Sequence, residues 1–333
     1  MKKILLATTA VVALSTVSAE AFAADKIKLE LGGFMRQFAG VVNHDEATAA
    51  NTGIARSVDL MQWANSEVYF RGNTKLDNGL TVAADIQLET STRNAAGGRQ
   101  LDVSSLQISS DAMGALTVGP TTHGYDDFAV RAPLVGELDW GDTQSFGSVA
   151  ATSALAATAY SQASVANSDD LGGKGMKVKY VSPNFSGAQV FGSWAAAIGG
   201  GGAITAASNT NTDTYSYGVG FSGEVGGASI SADLMHAMIN ADYDENHVGL
   251  SVGMAGFTVA GSYINYNDLR GATAATKSNS DGSTYELGVG YETGPYSVAV
   301  AYSKSKSTGD TSVAGDNTDN RWLVSAAYDL GAG

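Results

Sequence analysis

The sequence predicts an all-β protein, an antiparallel up-and-down transmembrane β-barrel, and three observations support this fold class. Apolar residues alternate with polar or small residues through much of the chain, which is the pattern of strands with two different faces. Glycine is abundant, at 41 residues, and proline is rare, at 4, a composition that suits strands and tight turns better than helices. The N-terminus carries an export signal, so the strands are expected to fold outside the cytoplasm.

Residues 1–23 have the features of a secretory signal peptide. A short positively charged start, Met1 to Lys3, precedes an apolar stretch from Ile4 to Leu14, and Ala21-Phe22-Ala23 is an A-x-A cleavage site. No later segment has the ~20 consecutive apolar residues of a membrane-spanning helix. We therefore expect cleavage after Ala23 and a mature domain over residues 24–333.

The first clear strand pair spans residues 66–89. Asp77-Asn78-Gly79 separates two alternating segments and can supply the positive φ values of a hairpin turn. The same alternation recurs in four later segments, Tyr215–Phe221, Val248–Met254, Tyr285–Tyr291 and Tyr296–Tyr302. Each predicted strand therefore has one apolar face and one polar or small face.

Charged and aromatic residues indicate what the apolar face contacts. Every charged residue of these strands lies on the polar face, and a charge facing lipid at the membrane midplane costs about 2–4 kcal/mol. A soluble β-sandwich would show the same segregation. Tyr285 and Tyr291, however, are about 20 Å apart at ~3.3 Å per residue, which matches two interfacial aromatic belts. We therefore expect Val289→Arg to impair assembly and Gly288→Ser to be tolerated.

The connections alternate between short turns and long loops. The long loops include residues 121–174, 267–283 and 304–319, whereas Pro183–Gly187 and Thr293–Pro295 are examples of the short turns. Short turns on one side and long loops on the other are typical of outer-membrane barrels. We count fourteen strands, from the first at about 27–40 to the last at 321–330.

Composition and motifs exclude several other classes of protein. The formal net charge of −14 argues against nucleic-acid binding, because such proteins need a basic face. The absence of cysteine excludes disulfides and thiol chemistry. Gly218-x-Gly220-x-x-Gly223 matches a dinucleotide-binding motif, but it lies within a predicted strand and no helix follows it. No cofactor and no metal are expected, because the four histidines have no i, i+4 partner.

Three segments resemble Gram-negative general diffusion porins, most closely those of alphaproteobacterial type. The stretch Ser66-Glu-Val-Tyr-Phe-Arg-Gly72 through Gln87-Leu-Glu89 resembles their second strand, turn and third strand. Tyr180-Val-Ser-Pro-Asn-Phe-Ser-Gly187 resembles the strand and turn after their long third loop, and Leu116-Thr-Val-Gly119 resembles the strand that leads into it. The resemblance covers nearly the whole chain. It implies a sixteen-stranded barrel, a trimer and a third loop that folds inward.

Two features depart from the pattern of that family. Family members usually end in a strand with a terminal aromatic residue, whereas this sequence ends at Asp329-Leu-Gly-Ala-Gly333. We therefore expect a C-terminally truncated sequence that holds fourteen of sixteen strands. Pro120 stands where the family often has arginine at the start of the long loop, so the charges of the constriction are expected to differ in detail.

The predicted pore constriction combines acidic loop residues with basic wall residues. The acidic residues of the loop at 121–174 are Asp126, Asp127, Glu137, Asp139 and Asp142, and the basic residues on the inward face of the early strands are Lys28, Arg36, Arg71 and Lys75. By resemblance these two groups face each other across a water-filled neck. The alternative is that the acidic residues belong to a solvated outer loop and that Glu30 or Glu67 pairs with the basic residues.

The predicted function is passive diffusion of small hydrophilic solutes and ions through an outer-membrane porin of a Gram-negative bacterium, without catalysis. Expected partners are outer-membrane lipid, lipopolysaccharide and two further copies of the chain in a homotrimer; no nucleic acid is expected. One alternative is a barrel channel selective for one sugar or anion, which needs stacked aromatic residues or a charged ladder inside. More distant alternatives are a barrel enzyme, with His123 or His247 near serine-rich loops, and a surface adhesin.

Overall fold

The computed structural model describes residues 28–43, 58–89, 101–135, 174–195, 213–239, 243–267, 281–310 and 313–331. Within these ranges fourteen strands form one sheet in sequence order, and each strand pairs antiparallel with the next. The predicted all-β, up-and-down architecture with fourteen strands is confirmed. The first and last strands each have one neighbour in the sheet, so the sheet is not closed within the described residues.

One short helix, α1, lies between the fifth and sixth strands at Gly124–Phe128. The strands are β1 Glu30–Asn43, β2 Val58–Lys75, β3 Thr81–Glu89, β4 Leu101–Ser110, β5 Gly114–Pro120, β6 Met176–Val181, β7 Ala188–Ala195, β8 Thr214–Val225, β9 Ala228–Ile239, β10 Tyr243–Met254, β11 Phe257–Asn267, β12 Gly282–Thr293, β13 Tyr296–Asp310 and β14 Val313–Tyr328. Among the described residues, no helix has both the length and the apolar character needed to cross a bilayer.

The turn between β2 and β3 forms at the predicted Asp77-Asn78-Gly79 sequence. Gly79 has a φ of 84°, in a region that glycine enters without steric cost. The backbone N–H of Leu76 donates to the carbonyl oxygen of Leu80 over 2.7 Å, and the Asn78 side chain accepts from the Leu80 N–H at 3.1 Å. This local chemistry fixes the β2–β3 register, in which Lys75 pairs with Thr81.

The outward face of the sheet is apolar along the strands. On β12 and β13 the residues Leu287, Val289, Val298 and Val300 are all exposed, as the predicted alternation requires. Aromatic rings contact one another near both ends of these strands. At the turn end, the ring centroids of Phe257 and Tyr291 are 4.4 Å apart and those of Tyr296 and Tyr328 are 5.1 Å apart. At the opposite end, Tyr302 lies 4.8 Å from Trp322, which gives the second belt.

Strands β13 and β14 continue past the residues in which apolar and polar side chains alternate. The predicted loop at 304–319 is therefore wrong. β13 continues to Asp310 and β14 begins at Val313, and the register runs through pairs such as Ser305 with Asp319. Strand pairing uses backbone hydrogen bonds, so it can continue into polar sequence where no apolar face marks it.

Candidate pore constriction

The segment that follows β5, here called the inner loop (residues 121–135), lies against inward-facing side chains of the sheet. Its helix α1 contacts β6, β7, β8 and β9. The ring of Phe128 stacks on that of Phe191 with centroids 5.0 Å apart, and Tyr125 is fully buried. Apolar contact of this extent ties the loop to the wall through the hydrophobic effect.

The start of α1 is fixed by a capping box. The backbone N–H of His123 donates to the Asp126 carboxylate over 3.1 Å, and the Asp126 N–H donates in return to the His123 carbonyl oxygen over 3.2 Å. The imidazole of His123 is fully buried, and its Nδ1 atom lies 2.8 Å from Oγ of Ser193. The chain therefore enters the barrel interior at a defined angle.

Three backbone N–H groups of the inner loop donate to side chains of three different strands. Val130 donates to Asp233 on β9 over 2.7 Å, Ala132 to Glu286 on β12 over 3.0 Å, and Val135 to Ser325 on β14 over 3.2 Å. All three acceptor residues are buried. The loop thus runs across the strands, and these hydrogen bonds attach it to the inward faces of strands in the second half of the sheet. We call the inward faces of β7–β14 the covered wall.

The two buried acids that hold the loop each have a second partner. The Asp233 carboxylate is 2.5 Å from Nδ1 of His247, and both side chains are fully buried. Glu286 also accepts a hydrogen bond from the Ser262 hydroxyl at 3.0 Å. These additional contacts compensate for the burial of two carboxylates, which is costly without hydrogen-bond partners.

On the opposite side a cavity of about 480 Å³ separates the inner loop from the inward faces of β2–β6, which we call the open wall. The residues lining it are mostly polar or charged and include Arg71, Asp85, Gln87, Gln107, Thr117, Asp127, Lys174 and Lys179. Its positive groups have negative partners nearby. Arg71 Nε lies 2.9 Å from Asp85, Lys179 Nζ lies 2.6 Å from Asp127, and Lys174 pairs with Asp102.

Two of the five predicted acidic residues lie in the inner loop as expected from the sequence. Asp127 lines the cavity. Its carboxylate accepts hydrogen bonds from the Thr122 hydroxyl and from Nζ of Lys179. Burial raises the pKa of Asp126 to about 7, although the positive charge of Arg131 acts to lower it. Glu137, Asp139 and Asp142 lie outside the described residues.

The predicted basic residues are more dispersed. Arg71 lines the same cavity as Asp127, and its guanidinium carbon lies 4.0 Å from the centroid of the Tyr69 ring. Arg36 lies over the Phe34 ring at 4.3 Å. Lys28 and Lys75 are exposed and do not line the cavity. Of the nine predicted residues, the structure brings Asp127 and Arg71 together at this cavity.

Two cations that act on the loop acids are residues that the sequence analysis did not select. Lys177 and Lys179 of β6 are buried; Lys179 contacts Asp127, and the charge of Lys177 acts on Asp126. Both lysines alternate with Met176, Val178 and Tyr180, so the polar face of this strand was the signal that could have identified them. Asp85, recognised only as a charge on the polar face, is the direct partner of Arg71.

Comparison with known proteins identifies the family. A sequence model of Gram-negative porins matches residues 7–333. The chain belongs to the Gram-negative porin family. This porin is therefore an outer-membrane channel for passive diffusion, as the sequence predicted, and its family and fold are those of a channel rather than an enzyme. A search of curated protein sequences found no match.

Solved porin structures share the fold of this porin at low sequence identity. A triple mutant of the Rhodopseudomonas blastica porin is similar with a TM-score of 0.59 and 16% identity, over 92% of this chain and 91% of that one. Another solved porin structure has a TM-score of 0.58 and 14% identity, again over 92% and 91% of the two chains. At such identities the likeness concerns the fold.

Proposed function

We propose that small hydrophilic solutes and ions cross this porin through the space between the inner loop and the open wall. The observation that supports this path is that the backbone of the loop is attached to the covered wall. Its backbone N–H groups donate to Ser193 on β7, Asp233 on β9, Glu286 on β12 and Ser325 on β14. Toward the open wall the loop makes the ion pair of Asp127 with Lys179 on β6, and the cavity lies toward β2–β6. A solute moving along the barrel would therefore meet the open wall on one side and α1 on the other.

The lining of this path favours diffusion over specific binding. Arg71, Lys174 and Lys179 each have a carboxylate partner, so their attraction for one anionic solute is partly neutralised. The residues that line the described cavity are charged, amide, hydroxyl or small aliphatic, with no aromatic ring among them. A channel selective for one sugar or anion would use stacked rings or a charged ladder, so this lining supports a general channel with charges that tune ion preference.

Reversal of one lining charge tests the path. In planar bilayers under a salt gradient, Arg71→Glu is expected to shift the reversal potential toward cation preference, because the substituted carboxylate stands beside Asp85 in the neck. Lys75→Glu is the matched control, since it makes the same charge change four residues away on β2 and outside the cavity lining. Equal shifts for both variants, or none for Arg71→Glu, would contradict the path. Saturation of the current by a single solute would support the selective channel instead.

We also propose that the porin assembles as a homotrimer in contact with lipopolysaccharide. Membership of the porin family supports this assembly, and the exposed apolar outer face, with residues such as Leu287 and Val300, supplies a surface for lipid or a second copy. Chemical cross-linking of unheated protein is expected to yield a trimer, and boiling the protein before the cross-linker is added should abolish that product. A monomer at all cross-linker concentrations would contradict it.

Finally, we propose that the protein catalyses no reaction. His123, one of the histidines considered for an enzyme, contacts Ser193 where the inner loop meets β7. Both residues are buried, His123 fully so, and the second ring nitrogen of His123 faces Thr214 at 3.3 Å. An acyl-transfer site needs an accessible nucleophile and a group that orients the base. Ester or phospholipid hydrolysis by purified protein that is lost in Ser193→Ala would contradict this proposal.

A further inference from the structure

Three inward-facing glycines lie where the inner loop crosses the covered wall. Gly220 is on β8, Gly249 is on β10 and Gly288 is on β12. Their neighbours along the strands, such as Val219, Leu250 and Val289, are exposed on the outer face. Alternation along a strand therefore points the glycine positions at the loop.

A side chain at these positions would collide with the loop. A Cβ added to Gly220 would lie 2.2 Å from Cδ1 of Phe128. One added to Gly249 would lie 2.6 Å from Oδ2 of Asp233, which holds the loop, and 2.7 Å from Cβ of Val130. At Gly288 the nearest loop atom, Cδ of Pro133, would be at 3.0 Å. Carbon atoms pack best at about 3.5–4.0 Å, so each of these glycines allows an approach that alanine would prevent.

Two other glycines have no loop atom near them and show no such conflict. Gly32 on β1 faces inward like Glu30 but lies away from the loop. The atom nearest to a Cβ added there would be Cδ2 of Tyr69, at 3.9 Å. Gly192 on β7 lies between the buried Phe191 and Ser193 and so faces outward, with no atom within 4 Å of an added Cβ. Other strand glycines would collide with a neighbouring strand instead, as at Gly261, where an added Cβ would lie 2.6 Å from the carbonyl oxygen of Glu286. At Gly220, Gly249 and Gly288, atoms of the inner loop are among the colliding neighbours.

The loop has more freedom to yield than the wall has. β8, β10 and β12 are each hydrogen-bonded to a strand on both sides, whereas Val130 and Ala132 are held to the wall through single backbone N–H groups. Restoring an ordinary carbon contact of about 3.5 Å at Gly220 from 2.2 Å moves the Phe128 ring, and with it the segment that carries the ring, by about 1.3 Å. That displacement points toward the open wall, into the path proposed above.

We propose that Gly220, Gly249 and Gly288 determine the width of the pore, because they let the inner loop lie directly on the backbone of the covered wall. The inference rests on the proposed path between the loop and the open wall. It makes these three wall residues determinants of the solute size limit, although none of them lines the described cavity.

The test compares Gly220→Ala and Gly249→Ala with the controls Gly32→Ala and Gly192→Ala in the full-length protein. Single-channel conductance and liposome swelling with sugars of increasing size are measured for each variant. We expect both test variants to conduct less and to admit the largest permeant sugar more slowly, by on the order of 1.5-fold, because a small displacement narrows the neck where size is selected. The controls should match the unmodified protein. Wild-type or increased conductance and size limit in the test variants would overturn the proposal.

A double variant keeps the test decisive if Gly220→Ala assembles poorly. Truncation of the colliding ring in Phe128→Ala makes room for the added methyl group, so the effect of Gly220→Ala should disappear in the Phe128→Ala background. The proposal would be overturned if Gly220→Ala lowered the conductance equally in that background. It would also be overturned if the double variant failed to assemble while Gly220→Ala by itself assembled. The readout also separates the two proposals, since the Arg71→Glu experiment reports ion preference and the glycine variants report the size limit.

Discussion

The covered wall and the open wall have the same strand geometry but different inward-facing residues. The covered wall places glycine and short or buried polar residues against the inner loop, as at Gly249, Asp233 and Ser325. The open wall places long polar side chains toward water, as at Arg71 and Gln107. The comparison shows that polar residues serve two purposes in this barrel: on one side they hold a segment of the chain, and on the other they line a path for water and solutes.

On their outer, lipid-facing side the two walls should tolerate a charged substitution equally poorly. Val118 on β5, behind the open wall, and Val289 on β12, behind the covered wall, are both exposed to the surroundings of the barrel. Val118→Arg and Val289→Arg should each destabilise the folded barrel by about 2–4 kcal/mol, because both place a charge in lipid. Urea unfolding in lipid vesicles measures the change, with Gly192→Ala as the control. A clear difference between the two arginine variants would show that the walls also differ on their lipid side.

Loss of an aspartate should affect the two walls differently. Asp233→Ala leaves the Val130 N–H and the His247 side chain without their buried acceptor, so a loss of about 1–3 kcal/mol of stability is expected. Asp85→Ala removes a partly exposed ion pair with Arg71, which is worth about 0–1 kcal/mol. The same unfolding experiment compares the two variants. A larger loss for Asp85→Ala than for Asp233→Ala would contradict the distinction between holding and lining residues.

The smallest expected effect is a pH dependence of ion preference that arises where the loop meets β6. Burial raises the pKa of Asp126 to about 7, with Arg131 and Lys177 opposing and Asp127 adding to the rise. Folding therefore strengthens proton binding, so this carboxyl favours the folded state most at low pH and loses that contribution as pH rises toward 7. Its added negative charge above that pH should move the reversal potential modestly toward cation preference.

Asp126→Asn is the matched variant, because its amide oxygen can still accept the His123 N–H without titrating. Reversal potentials measured at about pH 6 and pH 8, on either side of the raised pKa, should differ more in the unmodified protein than in Asp126→Asn. If the two proteins show the same pH dependence, Asp126 does not contribute to it.

The strands were predictable because their signals are local. Alternation and the Asp77-Asn78-Gly79 turn depend on neighbouring residues, and both appear in the structure as expected. The polar extension of β13 and β14 to Asp310 and Val313 was missed, because backbone pairing beyond the lipid leaves no apolar pattern in the sequence.

The site was less predictable because it depends on contacts between distant segments. The sequence identified Asp127 as a loop acid, but its partner Lys179 lies 52 residues away, and no periodicity links the two. The expectation that Gly288→Ser is tolerated considered only its inward-facing position. The structure revises it, since Pro133 of the inner loop lies 3.0 Å from the added Cβ.

The central claim is that water and solutes pass along the open wall and not along the covered wall. The natural sequence has no cysteine, so a single introduced cysteine reports its own accessibility to a charged, water-soluble thiol reagent. In planar bilayers the reagent is expected to reduce the conductance of Gln107→Cys, whose position lines the cavity, and to leave Ser262→Cys on the covered wall and Leu287→Cys on the outer face unchanged. Rapid block of Ser262→Cys with no effect on Gln107→Cys would contradict the account.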